Sequence, residues 1–143
     1  MDVYKLLMSC REAGQRLQRM KEERSMCYSS ILASGSQDGM PHAKGPKSSS
    51  VESLAVRLAD LDAKLERESV CYRILCSEAM RLINLCGEER IRKLLTARFV
   101  DCMSWSGAAR YAGYSDRCNA MRDARAAVAI IQQKVDEVSR ENP

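Results

Sequence analysis

The chain has 143 residues and a formal net charge of +4, with 23 Lys and Arg against 19 Asp and Glu. This length predicts one domain or a small domain with an extension, and the mildly basic balance permits nucleic-acid binding without requiring it. One Phe and one Trp exclude a large aromatic core, while abundant Ala, Leu, Met, Arg, Glu and Lys favour helices.

The sequence carries few of the residue patterns that support metal binding or catalysis. Its seven cysteines lack the paired spacing of a zinc site, and the single histidine, His42, excludes a histidine-based triad. No glycine-rich phosphate loop follows a strand pattern, and no apolar run approaches the ~20 residues of a membrane span. We therefore expect a soluble cytoplasmic protein without cofactor, metal or membrane partner, and not an enzyme.

Residues 1–32 are predicted to form an N-terminal unit consisting of one long helix. Its apolar positions recur every four or three residues and form one stripe. The stripe consists of Leu6, Cys10, Ala13, Leu17, Met20, Cys27 and Ile31, with Arg24 as its charged interruption. Gly14 should weaken this helix by roughly 1 kcal/mol relative to Ala. Residues 33–50 are rich in Gly, Pro and Ser and are predicted to be a flexible linker.

Residues 51–86 carry the clearest periodic signal, a heptad repeat that predicts a second long helix starting at Val51 with Ser50 as its N-cap. The centre of its apolar stripe is a seam of four leucines: Leu54, Leu58, Leu61 and Leu65. We expect this helix to fold back on the first as a long antiparallel, coiled-coil-like hairpin. Apolar surface that the hairpin leaves open could be covered by a second copy, so a homodimer is expected.

Residues 87–143 are predicted to form a helix-turn-helix domain, which completes an all-α fold. After a short helix that begins at Glu88 and Glu89, Ser104 is a suitable N-cap for a helix that reaches Ala112. Gly113 can end that helix with a positive φ, and Ser115 is expected to cap a last helix that ends near Ser139. The predicted core of the unit is Trp105, Ala109, Ala112, Gly113 and Tyr114, with Ala108 as a further close-packing position.

Several polar residues of this domain are candidates for DNA contact. Arg can pair with guanine and Asn with adenine in the major groove, and further arginines can reach phosphates. The candidates are Ser115, Arg117, Asn119, Arg122, Arg125, Arg110 and, if it projects outward, Arg98. Asp116 and Asp123 would oppose phosphate if they faced DNA.

The segment RFVDCMSWSGAARYAGYS, Arg98 to Ser115, resembles phage-encoded late transcriptional regulators of the ArpU/RinA type. Their C-terminal domain is similar to the region of sigma factors that binds the −35 promoter element. The residues that match without a gap are Arg98, Phe99, Ser104, Trp105, Ala109, Gly113, Tyr114 and Ser115. The chain departs from the pattern at Ser106–Ala108, and it has Asn119 and Arg122 where apolar residues are expected. The resemblance implies a regulator of phage or prophage late genes in a bacterial host cell, with double-stranded DNA and RNA polymerase as partners.

Three alternatives remain compatible with the sequence. The protein could be a helical adaptor or inhibitor whose helix-turn-helix only packs. It could also be a DNA-packaging component similar to a small terminase subunit, which would assemble as a ring. A third possibility is a factor that binds promoter DNA only together with RNA polymerase.

Overall fold

The computed structural model describes residues 1–35 and 47–143, and all regular secondary structure in these residues is helical. The all-α prediction is therefore confirmed. The helices in chain order are α1 (Val3–Gly35), α2 (Lys47–Ile83), α3 (Glu89–Leu95, continued by a π-helical turn over Thr96–Val100), α4 (Trp105–Tyr111) and α5 (Arg117–Glu141). None of the helices in the described ranges is long and apolar enough to cross a membrane.

Both long helices extend into the segment that was predicted as a linker. Helix α1 ends at Gly35, and α2 begins at Lys47 rather than at Val51, so the prediction of Ser50 as N-cap is wrong. Serine costs only a fraction of a kcal/mol per residue in a helix, which the long stripe of α2 easily outweighs. The remainder of the predicted linker, including His42, lies outside the described residues. Helix α2 ends at Ile83, earlier than predicted, in a turn where Cys86 N donates to Ile83 O at 3.0 Å.

Residues Arg16–Val70 form one compact unit. Residues near the start of this part of α1 contact the end of this part of α2, and residues further along α1 contact earlier residues of α2. They include Arg16 with Glu68, Glu23 with Arg57, Arg24 with Asp62, and the Cys27 thiol with the Leu54 carbonyl. The four leucines of the predicted seam lie in the same stretch of α2 as these contacts. Of the four, Leu61 is buried in the single chain, and Leu54, Leu58 and Leu65 are half-buried.

Residues Met1–Gln15 and Cys71–Pro143 form the second compact unit. The start of α1 and the end of α2 thus belong with α3–α5, a division that differs from the sequence-predicted boundary between residues 86 and 87. The physical reason is volume, because the alanine-rich C-terminal helices have few large apolar side chains of their own. The largest fully buried side chains come from α1, α2, α3 with its π-helical turn, and α5: Val3, Leu7, Cys10, Leu82, Ile83, Leu94, Leu95, Phe99 and Ile131.

A buried arginine on α1 closes the C-terminal end of the π-helical turn. Arg11 Nη1 donates to the carbonyl oxygens of Arg98 at 2.7 Å and Met103 at 2.8 Å. The Tyr72 hydroxyl donates to Val100 O at 2.6 Å. The backbone of this segment turns at Cys102, which has a φ of +60°. Helix ends leave carbonyl groups without intrahelical partners, so these side chains satisfy acceptors that would otherwise be buried unpaired. This arrangement fixes the segment that leads into α4.

Candidate nucleic-acid interface

Helix α4 begins where the sequence predicts. Ser104 has extended backbone geometry, with φ −64° and ψ 162°, and its Oγ accepts a hydrogen bond from Gly107 N at 3.1 Å. The helix runs over Trp105–Tyr111, and Ala112 is its C-cap. The predicted N-cap is confirmed, because the hydroxyl satisfies one of the amide groups that the first helical turn leaves without a partner.

Small residues bring α4 close to its neighbours, as predicted. Ala108, Ala109 and Ala112 are all buried. On α5 the corresponding buried positions include Ala120 and Ala124. A methyl side chain allows two helix backbones to approach closely, so a larger residue at these positions would push the helices apart.

The turn between α4 and α5 has the hydrogen bonds of a Schellman motif. Tyr114 N donates to Ala109 O at 2.8 Å, and Gly113 N donates to Arg110 O at 3.1 Å. Gly113 has a φ of +86°, which glycine adopts without the steric penalty that a Cβ atom would bring. The prediction that Gly113 ends the helix with a positive φ is confirmed.

Tyr114 is buried beside this turn, as predicted, and it has two polar neighbours. Its hydroxyl donates to Asp123 Oδ2 at 3.0 Å. The Arg90 guanidinium lies 3.7 Å from the ring centroid and also donates to Gly113 O at 2.9 Å. Burial, followed by the hydrogen bond to Asp123, raises the pKa of Tyr114. Sequence reasoning missed Arg90, because nothing local to α3 indicates a contact with a turn 23 residues later.

Helix α5 begins one residue later than predicted. Asp116, not Ser115, is its N-cap: the residue is extended, and its Oδ1 accepts from Cys118 N at 3.0 Å. Aspartate caps as well as serine does, and its charge also interacts favourably with the helix dipole. The prediction of Ser115 as the N-cap is therefore wrong by one residue. The helix continues to Glu141, slightly beyond the predicted end.

One face of α5 is buried and the opposite face is exposed. The buried positions are Ala120, Ala124, Ala127 and Ile131, whereas Met121 and Val128 beside them are half-buried. The predicted DNA-contacting residues Ser115, Arg117, Asn119, Arg122 and Arg125 are all exposed, as is Arg110 on α4. These six candidates therefore lie at exposed positions of α4, the turn and α5.

The guanidinium groups on this surface have few contacts with other side chains of the protein. Within residues 1–35 and 47–143, the side chains of Arg110, Arg117 and Arg125 form no hydrogen bond or ion pair. Arg122 Nε lies 3.8 Å from Asp123 Oδ1, a distance at which an exposed pair contributes little. The face of α5 therefore offers several guanidinium groups to an anionic partner.

Arg98 does not project outward, so its proposed contact with phosphate has no support from its position. Its guanidinium lies 4.7 Å from the centroid of the Trp105 ring, and its Nη1 donates to Met103 O at 3.2 Å. Burial and the neighbouring Arg11 lower the pKa of Arg98. The match of Arg98 and Trp105 to the regulator pattern thus corresponds here to a packing contact.

Among the described residues, no group of three or more His, Cys, Asp or Glu side chains could hold a metal ion. Comparison of the chain with protein families, curated proteins and solved structures gave no match. Its function must therefore be inferred from the local geometry and from the sequence pattern of Arg98–Ser115.

Proposed function

We propose that α4, the Gly113 turn and α5 form a helix-turn-helix that binds double-stranded DNA, with α5 as the recognition helix. The observation that carries this proposal is the closed turn between two closely packed helices, followed by an exposed α5 face with uncommitted arginines. The major groove of B-DNA is wide enough to admit an α-helix. In helix-turn-helix proteins the N-terminal part of the second helix contacts the base edges, and here that part carries the exposed polar residues.

The two aspartates that appeared unfavourable for DNA binding have structural roles in this fold. Asp116 accepts the hydrogen bond that starts α5, and Asp123 accepts a hydrogen bond from the Tyr114 hydroxyl. Their presence is therefore explained by capping and packing. Asn119, Arg122 and Arg125 are assigned to base edges, while Arg110 and Arg117 are assigned to phosphates.

The unit Arg16–Val70 supports a role in assembly. Its contacts between α1 and α2 support the predicted antiparallel hairpin, and Leu54, Leu58 and Leu65 are only half-buried. Met26 and Val56 are exposed on the same unit. We assign this apolar surface to a second copy of the chain, since dimeric helix-turn-helix proteins bind two half-sites. RNA polymerase is a further partner that the resemblance to late regulators implies.

We place this DNA-binding activity in the transcriptional regulation of phage or prophage late genes. The support for this narrower assignment is the ungapped pattern of Arg98–Ser115 and not the fold, because helix-turn-helix units serve many functions. A phage gene neighbourhood with terminase and portal genes downstream would support the assignment.

The decisive experiment measures binding of the purified protein to DNA from upstream of its own gene, by fluorescence anisotropy across a salt series. We expect affinity to fall steeply as salt rises. Arg122→Gln should weaken binding by roughly 5–150-fold, the equivalent of one lost base contact. Arg117→Gln should reduce the salt slope by about one. Arg140→Gln, which removes an exposed arginine at the far end of α5, should bind like the unaltered protein.

Absence of salt-sensitive binding, with or without RNA polymerase, would contradict the proposal. Equal loss in Arg122→Gln and Arg140→Gln would contradict the assignment of the reading face. A ring-sized species in light scattering would instead favour a DNA-packaging component.

The exposed apolar side chains of the hairpin unit favour one second candidate, a helical adaptor. For such a protein, Leu58→Glu would abolish partner binding, whereas Arg117→Gln and Arg122→Gln would leave it intact. Co-purification with the cellular partner, measured together with DNA affinity, separates the two functions, since a DNA-binding regulator requires both arginines for DNA affinity whereas an adaptor does not.

A further inference from the structure

An apolar cavity of about 710 Å³ opens beside α5 in the unit that contains the DNA-binding candidates. Its apolar walls include Tyr4 from α1, Phe99 from the π-helical turn, Trp105 from α4, and Met121 and Val128 from α5. Small-molecule sites in proteins are clefts of roughly 300–1,000 Å³, mostly apolar, with a few polar groups that orient the ligand. The size and composition of this cavity fall in that class.

The aromatic side of the cavity is held in a defined geometry. The Phe99 ring contacts Tyr4 edge to face, with centroids 6.4 Å apart, and contacts Trp105 in the same way at 6.2 Å. Phe99 is buried beneath them, and the Arg98 guanidinium covers the Trp105 ring at 4.7 Å. Edge-to-face pairs are favourable arrangements of aromatic rings, so these rings provide a preformed surface for an apolar ligand.

Two of the polar residues at the cavity are already committed to the start of α1. Asp2 Oδ1 accepts from Lys5 N at 3.0 Å, and Gln132 Oε1 accepts from Val3 N at 2.8 Å. The amide nitrogen of Gln132 donates to Met1 O at 2.9 Å and also to Asp136. Asp2 Oδ1 and both polar atoms of the Gln132 amide are thus engaged by the protein, and these contacts connect the start of α1 to α5 beside the cavity.

Arg125 is the remaining polar residue of the cavity lining, and its side chain has no hydrogen bond or ion pair within the described part of the chain. A guanidinium group at the edge of an apolar cavity favours an anion, because it offers charge-assisted and bidentate hydrogen bonds to a carboxylate.

We propose that this cavity binds a small amphiphile that has an apolar body and a single carboxylate. The body packs against Tyr4, Phe99 and Trp105, and the carboxylate pairs with Arg125. One consequence rests on the proposed DNA-binding function: Arg125 also belongs to the exposed face of α5, and a guanidinium paired with the ligand is lost to DNA. The ligand therefore weakens DNA binding, and by linkage DNA weakens ligand binding by the same factor.

Trp105 is the only tryptophan in the chain, so its fluorescence reports on this cavity alone. The test is a fluorescence titration of the full chain with decanoate, and with 1-decanol as the uncharged counterpart of the same chain length. We expect a saturable change with decanoate and about tenfold weaker binding of 1-decanol, as for the loss of one charge-assisted hydrogen bond. Arg125→Gln should weaken decanoate by the same factor, whereas Arg122→Gln, outside the cavity lining, should not.

Two further results separate the location of the site from its chemistry. Ala129 lines the cavity and is exposed, so Ala129→Phe should fill it and abolish binding of both probes without unfolding the protein. Equal affinity for decanoate and 1-decanol, or decanoate binding that survives Ala129→Phe, would overturn the proposal.

The proposed effect of the ligand on DNA binding is tested separately, by measuring DNA affinity with and without saturating decanoate. Loss of affinity that requires Arg125 supports the coupling, and unchanged affinity rejects it. If the protein binds no DNA at all, the proposed function fails while the fluorescence titration still decides the ligand site.

Discussion

Asp123 accepts a hydrogen bond from the hydroxyl of Tyr114, with 3.0 Å between the two oxygens. The bond links the turn after α4 to α5, and Arg90 covers the same tyrosine ring at 3.7 Å. An acidic residue in the first part of a recognition helix would otherwise oppose phosphate. Its contact with Tyr114 instead indicates that Asp123 positions α5 relative to the turn.

Removal of the Tyr114 hydroxyl should therefore have a measurable cost. Tyr114→Phe keeps the buried ring but leaves Asp123 without its donor, and we expect the free energy of unfolding to fall by about 0.5–1.5 kcal/mol. Tyr114→Ala also removes the ring and should cost about 3–5 kcal/mol. Urea denaturation measures both values. Tyr111→Phe, at an exposed position of α4, is the matched control; a cost for Tyr114→Phe no larger than this control would argue against the bond.

The positive φ of Gly113 leads to a second prediction. A Cβ atom at Gly113 would meet no other atom within 4 Å, so the cost of Gly113→Ala comes only from the left-handed backbone, about 1–2 kcal/mol. Gly113→Asn should cost less, because asparagine tolerates this conformation better. Gly87 also has open space around it and no positive φ, which makes Gly87→Ala the control. Thermal unfolding of the three variants tests the prediction, and equal shifts for Gly113→Ala and Gly87→Ala would contradict it.

Gly14 leads to the opposite expectation from its helix propensity. Propensity alone predicts that Gly14→Ala stabilises α1 by roughly 1 kcal/mol. The new Cβ atom would, however, lie 2.6 Å from Cys102 Sγ and 3.0 Å from the Tyr72 ring. Such overpacking typically costs about 1–3 kcal/mol, so we expect net destabilisation in urea denaturation.

A double-mutant cycle isolates the cause of that destabilisation. Cys102→Ala removes the sulfur atom, and it should recover part of the loss when it is combined with Gly14→Ala. A strictly additive effect of the two substitutions would show that Cys102 does not limit the space at this position.

The features predicted correctly from sequence are those that short-range chemistry determines. Ser104 caps α4 because its hydroxyl reaches an amide three residues away, and Gly113 closes the helix because a positive φ is needed at that residue. The alanines of α4 were identified because close packing requires small side chains at a fixed period. The all-α class follows from the long apolar stripes in the same way.

The features that were missed depend on residues far apart in the chain. Arg11 contacts carbonyls 87 and 92 residues away, and charged residues are rarely expected in a core. Cys102 adopts a positive φ that sequence patterns assign to Gly or Asn. The aromatic cavity combines side chains from four segments, none of which indicates it alone. Asp116 is a different case: its capping contact with Cys118 N is local, but serine and aspartate are both favoured at N-caps, so residue type alone does not distinguish it from Ser115.

The buried thiol and phenol groups around Gly14 lead to a prediction about alkaline pH. Burial raises the pKa of Cys10 from 9.0 to about 12, with a further contribution from Cys76, whose Sγ lies 3.7 Å away. Burial likewise raises the pKa of Tyr72 above 10.0. At a pH between the unfolded and the folded pKa of each group, the folded protein keeps the proton whereas the unfolded chain has released it. The stabilising contribution is therefore complete below the unfolded pKa and is lost as pH rises through the folded value.

We accordingly expect the free energy of unfolding to fall from about pH 9 upward and to fall more steeply above about pH 10, where Tyr72 and Tyr114, whose pKa values are both raised by burial in the fold, also ionise in the unfolded chain. Each group should contribute a slope of about 1.4 kcal/mol per pH unit. Urea denaturation from pH 8 to pH 11 gives the free energy of unfolding at each pH. The slope of this free energy against pH tests the prediction independently of the absolute stability of a variant. Cys10→Ala should reduce the steepness of this fall by about 1.4 kcal/mol per pH unit, the contribution of one group. Cys71→Ala, which removes an exposed thiol, serves as the control. If Cys10→Ala and the unaltered protein had the same slope, the alkaline loss of stability would have to originate from other groups, because a residue that cannot ionise contributes no proton difference between the folded and unfolded states.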